Sequence, residues 1–141
     1  MLDYTALRIE EMEKAFGGLW SRARASLGVT AFGMQVTHLP PDSGELYPLH
    51  DHAHDGQEEV YLLLSGSAEI ELPDATLPMA TDLFIRVGPS ARRRIKSGPE
   101  GCSFLIVGGT PGCVYTIQPY TELGGTEELP SPDAETSMTA A

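Results

Sequence analysis

From Val29 onward the chain is a succession of short β-prone runs cut apart by turn residues. No other feature restricts its fold so strongly. The runs are 29–39, 47–54, 59–64, 68–72, 83–87, 92–96, 103–107 and 114–118. Between them stand Pro40-Pro41-Asp42, Asp55-Gly56, Ser65-Gly66, Pro73-Asp74, Gly88-Pro89, Gly98-Pro99 and Gly108-Gly109. Glycine supplies positive φ and proline presets φ for a turn, so each of these clusters reads as a place where a strand stops. Short strands at this spacing predict an all-β sandwich or barrel. No internal repeat is visible.

The segment before Val29 has a different texture. Residues 6–9 read as a strand. Residues 10–16 and 19–27 read as helical pieces broken at Gly17-Gly18, with Trp20 and Leu27 seven apart on one helical face. This divides the chain into an N-terminal lead-in at 1–28 that packs on the barrel, a barrel at 29–120, and an acidic tail at 121–141. The 141 residues suit one domain, and a domain of this length buries roughly 68% of its unfolded surface, enough for a core without staples.

Charge narrows the function classes. The net charge is −11, and the tail holds Glu122, Glu127, Glu128, Asp133 and Glu135 with no Lys or Arg. Apolar periodicity ends after Tyr120, so 125–141 is expected to be disordered. Phosphate-backbone binding needs clustered cations, and the single basic run, Arg92-Arg93-Arg94-Ile95-Lys96, stands alone. No nucleic-acid partner is expected. Met1–Thr5 has neither a basic n-region nor an apolar h-region, and no apolar run has the length of a membrane span. The reading is a cytoplasmic protein with no membrane partner. Cys102 and Cys113 make no disulfide framework and read as small hydrophobes.

The chemistry is concentrated in one stretch, His50-Asp51-His52-Ala53-His54, followed by Asp55-Gly56 and then Glu59. In an extended strand residues 50, 52 and 54 share a face, because side chains alternate with period two. Glu59, Tyr61 and Leu63 share a face on the returning strand. If the two faces meet, imidazoles and a carboxylate converge, and those groups are standard ligands of divalent first-row metals. Glu58 should point the other way, to solvent. Tyr47 and Tyr61 suit core packing with a satisfied hydroxyl, and His38, on an earlier run, is structural or exposed.

This stretch resembles the first sequence motif of the cupin superfamily, G-x5-H-x-H-x(3,4)-E-x6-G. Here His52-x-His54 is followed by four residues, Glu59, six residues and Gly66; the opening Gly position holds Leu46, with Gly44 nearby. The likeness is close over 44–66 and looser through about residue 107. It implies a cupin-type double-stranded β-helix, a jelly-roll barrel, with His52, His54 and Glu59 holding a metal inside. The resemblance also implies a homodimer formed through outer sheet faces, and the apolar alternate face Val60, Leu62 and Leu64 must be covered by the lead-in or by a second subunit.

The second cupin motif, G-x5-P-x-G-x2-H-x3-N, corresponds to 82–97. Its fourth ligand, a His, is replaced by Arg93; Asp82 and Ser97 stand at the Gly and Asn positions. Ala91, Arg93 and Ile95 form the more apolar face of this run, so Arg93 points inward; a register one residue off would put Arg92 there. Guanidinium has no lone pair for a metal. Three outcomes are open: His50 supplies the lost ligand, the metal keeps three protein ligands and water, or no metal binds and Arg93 pairs with Glu59.

The functions implied are correspondingly three. The first is a divalent-metal enzyme (Fe, Mn, Ni, Zn or Cu, with no organic cofactor) of the dioxygenase, isomerase or cyclase kind. In it Arg93 binds an anionic small-molecule substrate, and His50 or Tyr61 moves a proton. The second is a metal-free isomerase or dehydratase using His and Arg. The third is a non-catalytic module that binds or senses a small ligand.

Overall fold

In the computed structural model, residues 3–129 are described. The elements are a 3-10 turn at Ile9–Glu11, β1 (Lys14–Ala15), β2 (Trp20–Ser21), α1 (Ala23–Leu27), β3 (Gly33–Leu39), β4 (Glu58–Leu72), β5 (Ala75–Pro78), β6 (Ile85–Val87), β7 (Arg94–Gly109) and a second 3-10 turn at Pro119–Thr121. All pairings are antiparallel, in the order β1-β2-β3-β7-β4-β5, with β6 added to the free side of β4. The all-β expectation is met.

Three of the predicted turns lie inside strands instead, Gly108-Gly109 as the paired end of β7. Gly66, at φ +80°, sits in β4 where the pairing with β7 slips between Leu63 and Ser65 and again between Gly66 and Ala68. The chain bends there and keeps pairing, as a bulge allows. Gly98-Pro99 falls in the part of β7 between Ser97 and Cys102 that has no partner on β4, so proline forfeits no ladder bond. Pro73-Asp74 does turn, closing the two-residue β4–β5 hairpin.

Three other expectations are corrected. Residues 47–54 form no strand; only His50 bridges to Arg93. Pro48 lacks an N–H, and the Asp51 and Asp55 carboxylates take the backbone N–H groups of Ala53 and Gln57, offering the chain turns instead of a ladder. Residues 114–118 are irregular, with Val114 94% exposed. Residues 6–9 contain no strand, and Trp20 lies on β2 rather than on a helix with Leu27.

The inner face of the curled sheet buries one cluster built on Tyr47, Tyr61, Ile70, Ile95, Phe104 and Ile106. The lead-in packs Met12 and Ala23 on the outer face of β3 at Val36. Arg22 ties it to the chain beyond β7: it pairs with Glu13 at 2.5 Å and donates to the carbonyls of Tyr120, Gly125 and Thr126. Trp20 stacks on Tyr120 at 5.7 Å. The expectation of disorder falls partly on 125–129, which Arg22 contacts, and otherwise on 130–141, outside the described residues. No helix among the described residues is long and apolar enough to cross a membrane.

His38 is neither idle nor free. Its Nδ1 and Nε2 lie 2.7 Å from Ser103 and Ser21 hydroxyls, and Lys14 Nζ donates to Ser21 at 2.7 Å. Burial, then the Lys14 charge, lowers its pKa from 6.5. The folded state therefore holds this proton less tightly than the unfolded chain. The contribution of His38 to stability is complete above about pH 6.5 and is lost as pH falls below it. We expect urea midpoints to drop from pH 7.5 to 5.5 less steeply in His38→Phe than in the parent; parallel slopes would refute this.

Candidate metal centre

His50, His52 and Glu59 are the residues that the fold brings together. All three are buried, and one ligand atom from each lies within 4.8 Å of the others. Glu59 comes from β4, paired with Val87 on β6 and Gly108 on β7. The bridge between His50 and Arg93, with N···O distances of 3.1 and 2.8 Å, pins the preceding loop against β7's approach.

The opposite atom of each ligand is tied down. His50 Nδ1 donates to the Pro48 carbonyl at 3.0 Å, which leaves Nε2 as the lone-pair nitrogen. His52 Nδ1 lies 3.2 Å from Asp55 Oδ1. Tyr61 donates its hydroxyl to Glu59 Oε1 at 2.7 Å. His52 Nε2 and Glu59 Oε2 have no aligned hydrogen-bond partner; the 3.3 Å approach of His52 Nε2 to Glu59 Oε1 is a charge contact off the hydrogen-bond direction. Outer partners that orient imidazole and carboxylate in this way are what metal sites use.

The electrostatics follow from burial and pairing. Burial pushes His50 down to about 4, so it is neutral. Burial also opposes the charge on His52, but Asp55 and Glu59 on its two sides outweigh this and raise it to about 9. Complete burial would raise Glu59, yet its contacts with His52 and Tyr61 and the Arg93 charge hold it below 4.5. Burial first, and then Glu59, keep Tyr61 protonated. Without metal, His52 is therefore an imidazolium between two carboxylates, and Nε2 must lose its proton to bind a metal.

His54 is placed elsewhere. Asp55 and Gly56 both donate their N–H to the His52 carbonyl, at 3.2 and 2.8 Å, so the chain turns at His52 and period two ends. The His54 side chain is 31% exposed and reaches Asp55 at 3.5 Å. With His52 and Asp55 it makes a second, more exposed group. Arg93 is fully buried and points inward, as expected. Its Nη2 donates to the Val87 and Gly88 carbonyls at 3.3 and 3.0 Å and stands 4.0 Å from Glu59 Oε1. Asp55, which orients His52, was read from sequence only as a turn residue; its acidic side chain three residues after a His was the available signal.

A cavity of about 320 Å³ is lined by Asp55, Gln57, Cys113 and Tyr115. A larger one, about 510 Å³, lies at Asp42, Ser67 and Lys96 and includes none of these ligands.

Among solved structures, a cupin protein from Bacteroides fragilis is similar over 84% of this chain and 93% of its own, with a TM-score of 0.62 and 21% identity. The chain has a cupin fold. A cupin-superfamily sugar phosphate isomerase from Silicibacter pomeroyi is similar over 82% of this chain and 77% of its own (TM-score 0.61, 15% identity). A cupin 2 domain-containing protein from Halorhodospira halophila is similar over 62% of this chain and 58% of its own (TM-score 0.50, 22% identity). No protein-family model matches the sequence, and no curated protein does. The cupin fold frames the His–His–Glu group but leaves its use open.

Proposed function

We propose that this cupin-fold protein holds a divalent first-row metal through His50, His52 and Glu59 and acts on a small organic anion. The carrying observation is the convergence of three buried ligand atoms within 4.8 Å, each on a residue whose other polar atom is already engaged. Two imidazoles and one carboxylate suit Fe, Mn, Ni, Zn or Cu. The metal, when bound, supplies Lewis acidity or activates oxygen.

The chain's own groups do the rest. Asp55 and the Pro48 carbonyl fix the two rings. Tyr61, held protonated, orients Glu59 rather than moving a proton. Arg93 keeps a permanent positive charge beside the group, with Nε and Nη1 unpartnered, and offers them to a carboxylate or enolate oxygen. The second reading, a metal-free enzyme, is favoured by one observation: the charged His52 already balanced by Asp55 and Glu59.

Elemental analysis of untagged protein, as purified and after reconstitution, separates the two. We expect near-stoichiometric metal that is lost in His50→Ala and His52→Ala, with affinity down about 100-fold or more, and retained in His54→Ala. Retention in His50→Ala with loss in His54→Ala would move the metal to the outer His52–His54–Asp55 group. No metal in any sample would leave the metal-free reading.

The protein is further proposed to be a homodimer. The lead-in covers the outer sheet face only near Val36 and Leu105. Val60 and Leu64, 37% and 36% exposed, and Phe32, 40% exposed, stay uncovered, and a second copy would cover them. Sedimentation at micromolar concentration should give twice the 15.2 kDa chain mass; a clean monomer would rule this out.

A further inference from the structure

The wall of the interior on the β3 side carries a set of polar groups that the metal reading does not use. Paired residues of antiparallel strands present their side chains to the same face. Gln35 pairs with Ile106, which pairs with Tyr61; Thr37 pairs with Phe104 and with Trp20 on β2. Gln35, Thr37 and Trp20 therefore look into the same interior as Glu59 and Tyr61. All three are fully buried. Gln35 Nε2 and Oε1, Thr37 Oγ1 and Trp20 Nε1 all lack a hydrogen-bond partner. Folded proteins seldom leave such atoms unmatched.

The row of Glu59 explains where a partner would sit. Glu59 pairs with Gly108, and Gly108 with Gly33. Val87 on β6 completes the row, so two of its four strands contribute no side chain next to Glu59, whose Oε2 has no partner. The chain after β7 returns with Tyr115 and Tyr120, whose hydroxyls also lack partners. Burial first of all keeps both phenols protonated. The 320 Å³ cavity at Gln57 and Tyr115 lies at the outer end, and Gln57 Oε1 is unpartnered too.

These groups are amide, hydroxyl and indole. The carboxylates here, Glu59 and Asp55, already face the cations His52 and Arg93, and Arg24, whose charge also reaches Tyr115, gives its Nη atoms to Val29 and Thr121 and leaves Nε unpartnered. β3 itself carries no Lys or Arg to meet an anion, whereas hydroxyls, which both donate and accept, match amide, hydroxyl and indole alike.

We propose that the interior wall of β3, at Gly33, Gln35 and Thr37 with Gly108 and Trp20, is a recognition subsite for a neutral, hydroxyl-rich group of polyol or sugar-ring type seated at the glycine positions of the Glu59 row. This deepens the reading of the neighbouring group as the working site, since it names the part of the ligand that lies away from Arg93.

The test uses the full chain with glycerol, D-xylose and myo-inositol as probes, followed by saturation-transfer NMR and titration calorimetry, both after chelation and after metal loading. At least one probe should bind the chelated protein. Gly108→Ala adds a methyl to that row where φ is not positive; binding should weaken about tenfold or more with the thermal midpoint and metal content unchanged. Gln35→Leu should likewise lose binding without loss of midpoint. No binding of any probe to either form, or binding indifferent to both substitutions, overturns the proposal. So does a large fall in midpoint for Gln35→Leu, which would mean that the amide serves a structural water. Metal content is read in the same samples: sugar binding together with failure of the reconstituted protein to take up metal would sink the metal reading and leave this one standing.

Discussion

Gly66→Ala should remove at least about 3 kcal/mol of stability and leave little folded protein at 37 °C. Gly66 adopts φ +80°, a region that costs any L side chain. A Cβ there would be driven into the Gly101 carbonyl oxygen and would stand 2.9 Å from Cys102 Cα. Both obstacles are backbone, and Gly101 is itself locked at φ +70° against Leu39 and Pro41. Neither strand can give way without undoing the bulge that lets β4 bend. Urea unfolding followed by tryptophan fluorescence reads this directly, since Trp20 is fully buried. The control is Gly109→Ala, where a Cβ meets nothing within 4 Å; it should change the midpoint little. Equal midpoints for the two variants would show that the bend does not depend on Gly66.

That glycine also shows how the sequence could be read well for position and wrongly for role. With six residues between it and Glu59 it completed the motif, and it lies on the same strand as Glu59. A local reading of Ser65-Gly66 nevertheless predicts a turn, because glycine's freedom serves turns and bulges alike. Only the pairing partner, β7, decides between them. The same limit applies at Gly98-Pro99. Strand period placed Glu59 with Tyr61, because 59–61 are paired on both sides, and placed Arg93 inward, because its bridge to His50 continues the line of β7 by one residue. It failed at His54, where two backbone N–H groups fold onto the His52 carbonyl and end the alternation. His50 was legible as a possible substitute ligand from its face alone. What made it one, the Pro48 carbonyl on its Nδ1 and the bridge to Arg93, is tertiary and invisible in the pattern. Gln35 and Thr37 gave no signal at all: a buried Gln and Thr within an apolar run look like any strand until their neighbours prove unable to bond them.

Arg93→Met is expected to do two opposite things. It should cost about 3 kcal/mol of stability in the metal-free protein, and it should tighten metal binding. The guanidinium is fully buried, caps the Val87 and Gly88 carbonyls, and lies 4.0 Å from Glu59 Oε1. Methionine fills much of the same volume without a donor, so two carbonyls lose a charge-assisted bond and Glu59 loses one of its two cations. The other cation, His52 raised to about 9, still balances it at pH 7, which keeps the loss at the low end for a broken buried pair. Glu59 also loses part of what depresses its pKa. A depressed carboxylate contributes stability above its unfolded pKa that fades as pH falls through the folded one; with the folded value raised, the variant should lose stability over a window that begins at higher pH. For a dication the balance reverses. The guanidinium repels it across a low-dielectric interior, so its removal should improve affinity about tenfold or more. Arg93→Lys keeps the charge but not the fork, and should restore the weaker affinity while recovering only part of the stability. Urea midpoints and competitive metal titration on the same samples separate the effects. Loss of metal in Arg93→Met with retention in Arg93→Lys would mean that the charge organises the ligands rather than opposing the ion, and the site would have to be rebuilt around it.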